Sequence, residues 1–180
     1  MSRFPLIQSA EATGAAAEAL GEVRRALGSV PNMAKVMANS PALVKGWLAL
    51  SGALSGTMIP VPVRERLASA NAEYNNCTYC LSAHTYIGAR VAEVGAGGLG
   101  RARRASPPSR TPPQCWPCPR PLPAATSVRR SSGLPGPWAS PNAEIAVVVG
   151  NLALNILTNY FNVLADTDIE WPVVTLHTDA

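Results

Sequence analysis

The stretch Asn76-Cys77-Thr78-Tyr79-Cys80-Leu81-Ser82-Ala83-His84 holds the residues on which the fold and the chemistry of this chain can be argued. Two cysteines three residues apart can meet at the start of a helix, where a disulfide can form and break. The free N–H groups and the positive dipole end of a helix N-terminus stabilise a thiolate over a thiol. His84 lies one helical turn beyond Cys80 on the same face, where it can exchange a proton or hold a cation near the sulfur. The stretch therefore predicts a redox-active cysteine pair at a helix start.

Two glutamates could lie near the cysteines and His84. Glu65 precedes Cys77 by twelve residues, so a straight helix would turn it roughly 120° away from the cysteine. A bend at Asn75-Asn76 could bring Glu65 back towards Cys80 and His84. Glu73, four residues before Cys77, is the competing candidate. Spacing also allows either glutamate to be a solvated surface carboxylate, so the choice stays open.

Residues 1–91 are predicted to form the N-terminal helical part of one domain. Gly28 is expected to end the first helix, and Ser40-Pro41 to start another, with the hydroxyl as a cap and the proline at the first helical position. The apolar side chains of Leu43, Trp47, Leu50 and Leu54 predict one buried stripe. The expected helices run over residues 11–27, 31–37, 41–54, 63–74 and 77–91.

Residues 92–141 differ in kind from the rest of the chain. They hold 11 of the 17 prolines, seven arginines and one acid, but no Lys, Ile, Phe or Tyr. Such a composition predicts an irregular or disordered Pro/Arg-rich insert without regular helix or strand. We hypothesise that the insert is translated from a shifted reading frame, entered near Ala92 and left near Pro141; the alternative is a genuine linker.

Residues 142–180 return to a helical pattern and are assigned to the same domain. A helix is predicted over residues 141–163, with apolar residues on one face and Asn151, Asn155 and Asn159 on a second stripe. Asn is a poor helix former, so this stripe predicts either hydrogen bonds at an interface or beside a site, or a solvated face. The tail from Asp166 to Ala180 is expected to be irregular.

Charge and hydropathy restrict the location and the partners. Outside the insert the chain holds 8 basic and 10 acidic residues, so the overall charge of +4 comes from the insert and does not indicate a nucleic-acid partner. The most apolar stretch, Ile145 to Leu157, is interrupted by Gly150 and by two asparagines, which a bilayer would penalise. Residues 1–10 lack a basic start followed by an apolar stretch, so no signal peptide is expected. We expect a soluble cytoplasmic protein with no membrane partner.

Other roles for the cysteines fit the sequence less well. A second pair, Cys115 and Cys118, would allow a four-thiolate zinc site, but the gap of 34 residues after Cys80 is longer than compact zinc sites use. A thioredoxin-like fold is disfavoured because no strand–helix–strand alternation surrounds Cys77. A structural disulfide is disfavoured in a cytoplasmic chain. No metal is therefore predicted.

The residues Glu65, Asn76–Cys80 and Ala83-His84 together resemble the alkylhydroperoxidase D-like branch of the carboxymuconolactone decarboxylase family. Flanking stretches are also similar to that family, and the likeness covers roughly residues 25–91 and 142–172 but fails across residues 92–141. These flanking stretches are Val30-Pro31-Asn32-Met33, Pro41-Ala42-Leu43, Ala143-Glu144-Ile145, Asn159-Tyr160-Phe161-Asn162 and Ala165-Asp166-Thr167. The resemblance implies an all-α, AhpD-like helical domain that assembles as a trimer or hexamer.

The resemblance also implies a thiol-dependent peroxidase, an antioxidant that reduces alkyl hydroperoxides. Cys80 would attack the peroxide, Cys77 would resolve the sulfenic acid as a disulfide, and His84 with Glu65 would form the proton relay. No flavin, haem or metal is implied, and the electron donor would be a dithiol, either a small protein or a lipoyl-type group. Relatives carry a histidine where this chain has Tyr79, so a shorter relay or a different reductant is expected.

Two further functions stay open from the sequence. A lyase of the same family would act on a lactone or a β-keto acid with His84 as base, although such decarboxylases generally lack the paired cysteines. A non-catalytic helical or zinc-binding interaction module is the third interpretation. Loss of packing across residues 92–141 would weaken any of these activities.

Overall fold

The computed structural model describes residues 1–90, 95–104 and 141–177. Within these residues the chain is all-α and no strand is present, as predicted. The helices of the described residues are α1 (Gly14–Leu27), α2 (Asn32–Met37), α3 (Pro41–Ser55), α4 (Val61–Tyr74), α5 (Thr78–Arg90), α6 (Ala96–Arg104) and α7 (Pro141–Ala165).

Local signals account for most helix ends. Gly28 caps α1 in the left-handed conformation with φ of 75°, and its N–H reaches the Arg24 carbonyl. Pro41 occupies the first turn of α3, where its missing N–H costs no hydrogen bond. Ser40 does precede α3, but its side chain makes no capping hydrogen bond, so that detail of the prediction is wrong.

The central helix is α4, which packs against α5, α6 and α7. On the other side α3 contacts α1, α2 and α7. The main core holds buried side chains of Leu20, Met37, Trp47 and Leu81, and both Cys77 and Cys80 belong to it. The cysteine pair therefore lies in the packed interior, where small displacements of a side chain are costly.

Two apolar stripes proposed from periodicity are only partly buried. In α3, Trp47 is buried and Leu50 is exposed, so the predicted stripe is wrong at Leu50. In α7, Val148 and Leu152 are buried, whereas Ile145 and Val149 are about half exposed. The buried part of α7 also carries the asparagines at positions 151, 155, 159 and 162.

The prediction that residues 92–141 lack regular structure is wrong for residues 96–104, which form α6. The first proline of the insert is Pro107, so nothing in residues 95–104 forbids a helix. Leu99 is buried and would contact a Cβ added at Gly88, so the side chain of Leu99 packs closely on α5. The rest of the predicted irregular insert and the suspected end of the shifted frame lie outside the described residues.

A buried ion pair joins α6 to the central helix. The Glu73 side chain is inaccessible to solvent and accepts a hydrogen bond of 2.8 Å from Nε of Arg103. The Arg103 guanidinium also donates to the Thr175 carbonyl at 2.7 Å, and the His177 N–H donates to the Glu73 carboxylate. One carboxylate thus connects α4, α6 and the C-terminal segment.

Residues 166–177, here called the C-terminal strap, contain no helix or strand, as predicted for this tail. The strap nevertheless follows a defined path over α5, since the Val174 N–H donates to Ser82 Oγ at 3.0 Å and the Trp171 ring packs 5.3 Å from the ring of Tyr86. Hydrogen bonds and ring packing therefore hold a segment that has no secondary structure of its own. Residues 178–180 lie outside the described residues.

By length and composition, residues 142–165 of α7 could cross a membrane, although Gly150 and two asparagines interrupt its most apolar stretch. The same residues include four buried asparagines, at positions 151, 155, 159 and 162. Four amide side chains on one helix would be costly to place in the hydrocarbon of a bilayer. In this structure α7 packs against other helices, and the four amides are buried within the protein. The helix packs as part of the helical domain, and the soluble, cytoplasmic location stays a prediction.

We predict that Arg103→Met lowers the free energy of unfolding by about 3–5 kcal/mol, because it leaves the buried Glu73 carboxylate without its cation. Urea denaturation measures this loss. Arg101→Met, on the exposed side of the same helix, is the matched control and should change stability little.

The double variant Arg103→Met with Glu73→Gln should recover part of the loss, since glutamine is neutral and still accepts from His177. A stability of Arg103→Met equal to that of Arg101→Met would contradict the docking of α6 on α4.

Candidate functional site

A tight turn between α4 and α5 places the cysteines. Asn76 adopts φ of 55°, in the left-handed region that Asn tolerates better than most residues. The Cys77 N–H donates to the Ala72 carbonyl at 2.9 Å and the Asn76 N–H to the Glu73 carbonyl at 3.2 Å, which is the Schellman pattern for ending a helix. The predicted break at Asn75-Asn76 is confirmed, and it sets Cys77 directly before the first residue of α5.

Cys77 caps the helix that it precedes. Its carbonyl accepts from the Leu81 N–H at 2.9 Å, and its Sγ accepts from the Cys80 N–H at 3.2 Å. A serine or aspartate at this position would satisfy a free helix N–H in the same way. The sequence spacing alone requires the two cysteines to be near each other, and the cap brings the Cys77 sulfur onto the backbone of Cys80. Both thiols are free and buried.

The Cys80 thiol lies in an environment that favours the thiolate. Burial acts to raise its pKa, but a hydrogen bond from Cys77, the charge of His84 and a hydrogen bond from the Asn162 amide outweigh burial and hold the pKa below the ordinary value of 9.0. Nδ2 of Asn162 donates to Cys80 Sγ at 3.3 Å. Of the two thiols, Cys80 is therefore the one whose surroundings favour ionisation.

Cys77 has the opposite character. Burial, followed by its hydrogen bond to Cys80 and repulsion from the charge on Cys80, raises the pKa of the Cys77 thiol well above the ordinary value. A buried neutral thiol that donates to a neighbouring thiolate stabilises the charge of that neighbour. The pair therefore divides into one sulfur that ionises readily and one that keeps its proton.

His84 is held by Glu65. The imidazole Nδ1 lies 2.9 Å from Glu65 Oε2. Because a carboxylate only accepts hydrogen bonds, Nδ1 carries the proton and Nε2 is left to exchange one. Burial acts to lower the pKa of His84, but the hydrogen bond and charge of Glu65, with the charge of Cys80, raise it above the ordinary value of 6.5.

Sequence spacing could not decide which of the two glutamates reaches His84, and the structure does. Glu65 contacts His84, whereas Glu73, about two turns further along α4, is paired with Arg103 of α6. Neither is a solvated surface carboxylate, since both side chains are largely or fully buried. The predicted residues Glu65, Cys77, Cys80 and His84 are thus brought together.

Asn162 is the site residue that sequence reasoning missed. Asparagines 151, 155, 159 and 162 are all buried, so the solvated-face interpretation of the asparagine stripe is wrong. Asn151 and Asn155 donate to backbone carbonyls one turn earlier in α7, while Asn159 accepts from Asn75 at 3.0 Å. Asn162 falls three residues after Asn159, on the same face of α7, and this helical spacing is the signal that could have found it.

Tyr79 lies between the cysteines but points to the strap. Its hydroxyl donates to Oε1 of Glu170 at 2.9 Å and accepts from the Met33 N–H at 3.2 Å. Burial is the main cause that raises the pKa of Tyr79 far above its ordinary value. Tyr79 thereby ties α5 to α2 and to the strap, and it offers no titratable group near pH 7 for a relay.

Within the described ranges 1–90, 95–104 and 141–177, no group of three or more histidine, cysteine or acidic side chains is arranged so that it could hold a metal ion. Cys115 and Cys118, the other half of the four-thiolate alternative, lie outside the described residues.

Comparison with known proteins identifies the fold. No family model matches the chain, and no curated protein matches it. A solved structure described as the alkylhydroperoxidase AhpD core of an uncharacterized peroxidase-related protein from Ralstonia eutropha JMP134 is similar, with a TM-score of 0.66 and 19% sequence identity. The match covers 94% of this chain and 92% of that chain. The chain has the AhpD-like helical fold that its cysteine motif and flanking residues predict.

Proposed function

We propose that the chain is a thiol-dependent peroxidase that reduces alkyl hydroperoxides through Cys77 and Cys80. The observation that carries the proposal is the arrangement around Cys80, a buried sulfur that accepts from Asn162 and lies near an imidazole held by Glu65. The similarity of fold to a peroxidase-related protein adds support. A nucleophilic sulfur, a resolving thiol and a proton donor are the three groups that such a reaction needs.

In the first step the Cys80 thiolate attacks the terminal oxygen of the hydroperoxide. The O–O bond breaks, an S–O bond forms, and the leaving alkoxide takes a proton from the His84 imidazolium to become an alcohol. Glu65 stabilises the imidazolium through its contact with Nδ1 before the proton leaves. The products of this step are the sulfenic acid of Cys80 and neutral His84.

In the second step the Cys77 sulfur attacks the sulfenic acid. An S–S bond forms between the cysteines, the S–O bond breaks, and the hydroxyl leaves as water with the proton from the Cys77 thiol. The contact of Cys77 Sγ with the Cys80 backbone keeps the two side chains close enough for this exchange. A dithiol then reduces the disulfide and completes the cycle.

We also propose that the protein works as a homo-oligomer, a trimer or hexamer in the cytoplasm. The outer side of α7 carries exposed apolar side chains at Ile145, Val149, Tyr160 and Leu164, which assembly would cover. Light scattering on the purified protein measures the assembly directly.

We predict that Cys80→Ser abolishes peroxide reduction, because serine does not ionise at neutral pH. Cys77→Ser should still consume about one equivalent of peroxide and should stop at a sulfenic acid that a dimedone-type reagent captures. Peroxide consumption and mass spectrometry measure the two results. The double variant Cys115→Ser with Cys118→Ser is the control and should keep full activity.

Unchanged peroxide consumption in Cys80→Ser would contradict the proposed function. A lactone or β-keto acid decarboxylase rate that survives loss of both cysteines would favour the lyase instead. Stoichiometric zinc that is lost in the control variant would favour the zinc-binding module.

We predict that Glu65→Gln raises the pKa of Cys80, so that the thiolate forms at a higher pH. The carboxylate raises the pKa of His84, so its removal deprotonates the imidazole at lower pH and takes away a cation that lowers the pKa of Cys80. Thiolate absorbance near 240 nm should then rise at higher pH than in the parent. If the pKa of Cys80 increases by about one, the thiolate fraction below the transition falls about tenfold. Glu18→Gln, on the exposed face of α1, is the charge-matched control.

An identical thiolate titration in Glu65→Gln and in the parent would show that Glu65 does not act on Cys80 through His84.

A further inference from the structure

Three residues of α5 follow one another at four-residue spacing, on successive turns of the helix: Cys80, His84 and Gly88. The first two carry reactive groups, and the third has no side chain. Gly88 is buried, and a Cβ placed there would lie 3.3 Å from both methyl carbons of Leu99 and 3.6 Å from Cβ of Glu65. A side chain at position 88 would crowd Leu99, so glycine lets α6 approach the backbone of α5 one turn beyond His84.

The side chain of Leu99 lies at the place where α6 meets the Glu65–His84 pair. Leu99 is 3% exposed, and Gly88 is the common neighbour of Leu99 and Glu65. The side chains of the pair are themselves only partly exposed, 12% for Glu65 and 24% for His84. An apolar group beside a partly buried carboxylate excludes water from it and strengthens its attraction to a cation.

A contact one turn further along α6 holds the helix in this position. Arg103 donates to the buried carboxylate of Glu73 at 2.8 Å and to the Thr175 carbonyl at 2.7 Å. Because Glu73 lies about two turns beyond Glu65, α6 runs alongside α4 and meets both carboxylate-bearing turns. Arg103 neutralises the second carboxylate, and Leu99 lies beside the first.

We propose that α6 is part of the functional site and that Leu99 is a positioning residue, whose side chain keeps water away from the Glu65–His84 pair. The proposal rests on the proton relay proposed above, and it gives a role to a helix that lies within residues 92–141. Leu99 touches no reacting atom. It acts through Glu65, whose carboxylate holds the imidazole.

The proposed reaction needs a protonated His84, and the shielding of Glu65 favours that state. Burial acts to lower the pKa of His84, but Glu65 of α4 and Cys80 of α5 raise it above the ordinary value of 6.5. Of the described side chains of α6, Arg103 is already paired and Arg101 is exposed. Water beside Glu65 would screen its charge, and because the net shift is upward, the pKa of His84 would then fall towards its value in water.

The test is an NMR titration of the folded, untagged full-length chain. The chain has only two histidines, so the imidazole signals of His84 and His177 can be assigned with a His177→Gln variant, and His177 serves as an internal reference. We expect Leu99→Ala to lower the pKa of His84 by about 0.5, which changes the ratio of charged to neutral imidazole about threefold at a given pH.

Two further variants separate shielding from packing. Leu20→Ala removes the same atoms from a buried position on α1, which packs on α2 and α3, and should leave the pKa of His84 unchanged. Leu99→Met keeps the volume of the side chain and should keep the titration of the parent. If Leu99→Ala does not fold, Leu99→Val replaces it and should lower the pKa of His84 by a smaller amount.

An unchanged titration of His84 in the folded Leu99 variants would overturn this proposal and leave the peroxidase untouched. An equal fall in Leu20→Ala would also overturn it, because any loss of packing would then have the same effect. The titration needs no peroxide, so failure of the peroxidase, seen as unchanged activity in Cys80→Ser, is measured separately.

Discussion

The contact between Glu65 and His84 across α4 and α5 is the interaction on which the chemistry of the site depends. At 2.9 Å it fixes which imidazole nitrogen carries the proton, and it stabilises a positive charge near a sulfur that is otherwise buried in a low-dielectric interior. Burial alone would favour the neutral thiol at Cys80, and the hydrogen bond from Cys77 together with this charge opposes that effect. The contact exists because the chain reverses at Asn76, whose left-handed conformation lets α5 start directly after α4 ends.

A second group of polar contacts joins α4 and α5 to the neighbouring elements and so stabilises the position of the Glu65–His84 pair. Buried Glu73 joins α4 to α6 and to the strap, and the hydroxyl of Tyr79 joins α5 to α2 and to Glu170. Such groups are costly to bury unless they are satisfied, so each contact also excludes alternative packings. Helix α6 belongs to residues 92–141, whose composition predicted no regular structure. Its Arg103 nevertheless forms an ion pair with the buried Glu73.

Much of the fold follows from local signals. Gly28, Pro41 and Asn76 mark helix boundaries because each has a backbone preference that is independent of distant residues. The cysteine and histidine spacing likewise requires those side chains to share one end of a helix. Burial is less predictable: Leu50 and Ile145 fit apolar stripes yet are exposed, because which side of a helix is covered depends on neighbours that periodicity does not identify.

By itself the sequence determined an all-α chain with a thiol pair at a helix start and an imidazole one turn beyond Cys80, since 3.6 residues per turn put Cys80 and His84 on the same face. Only the tertiary structure decided that Glu65 rather than Glu73 reaches His84 and that Asn162 donates to Cys80. These relations join residues that are distant along the chain. Their geometry is set by how whole helices pack, which no local spacing encodes.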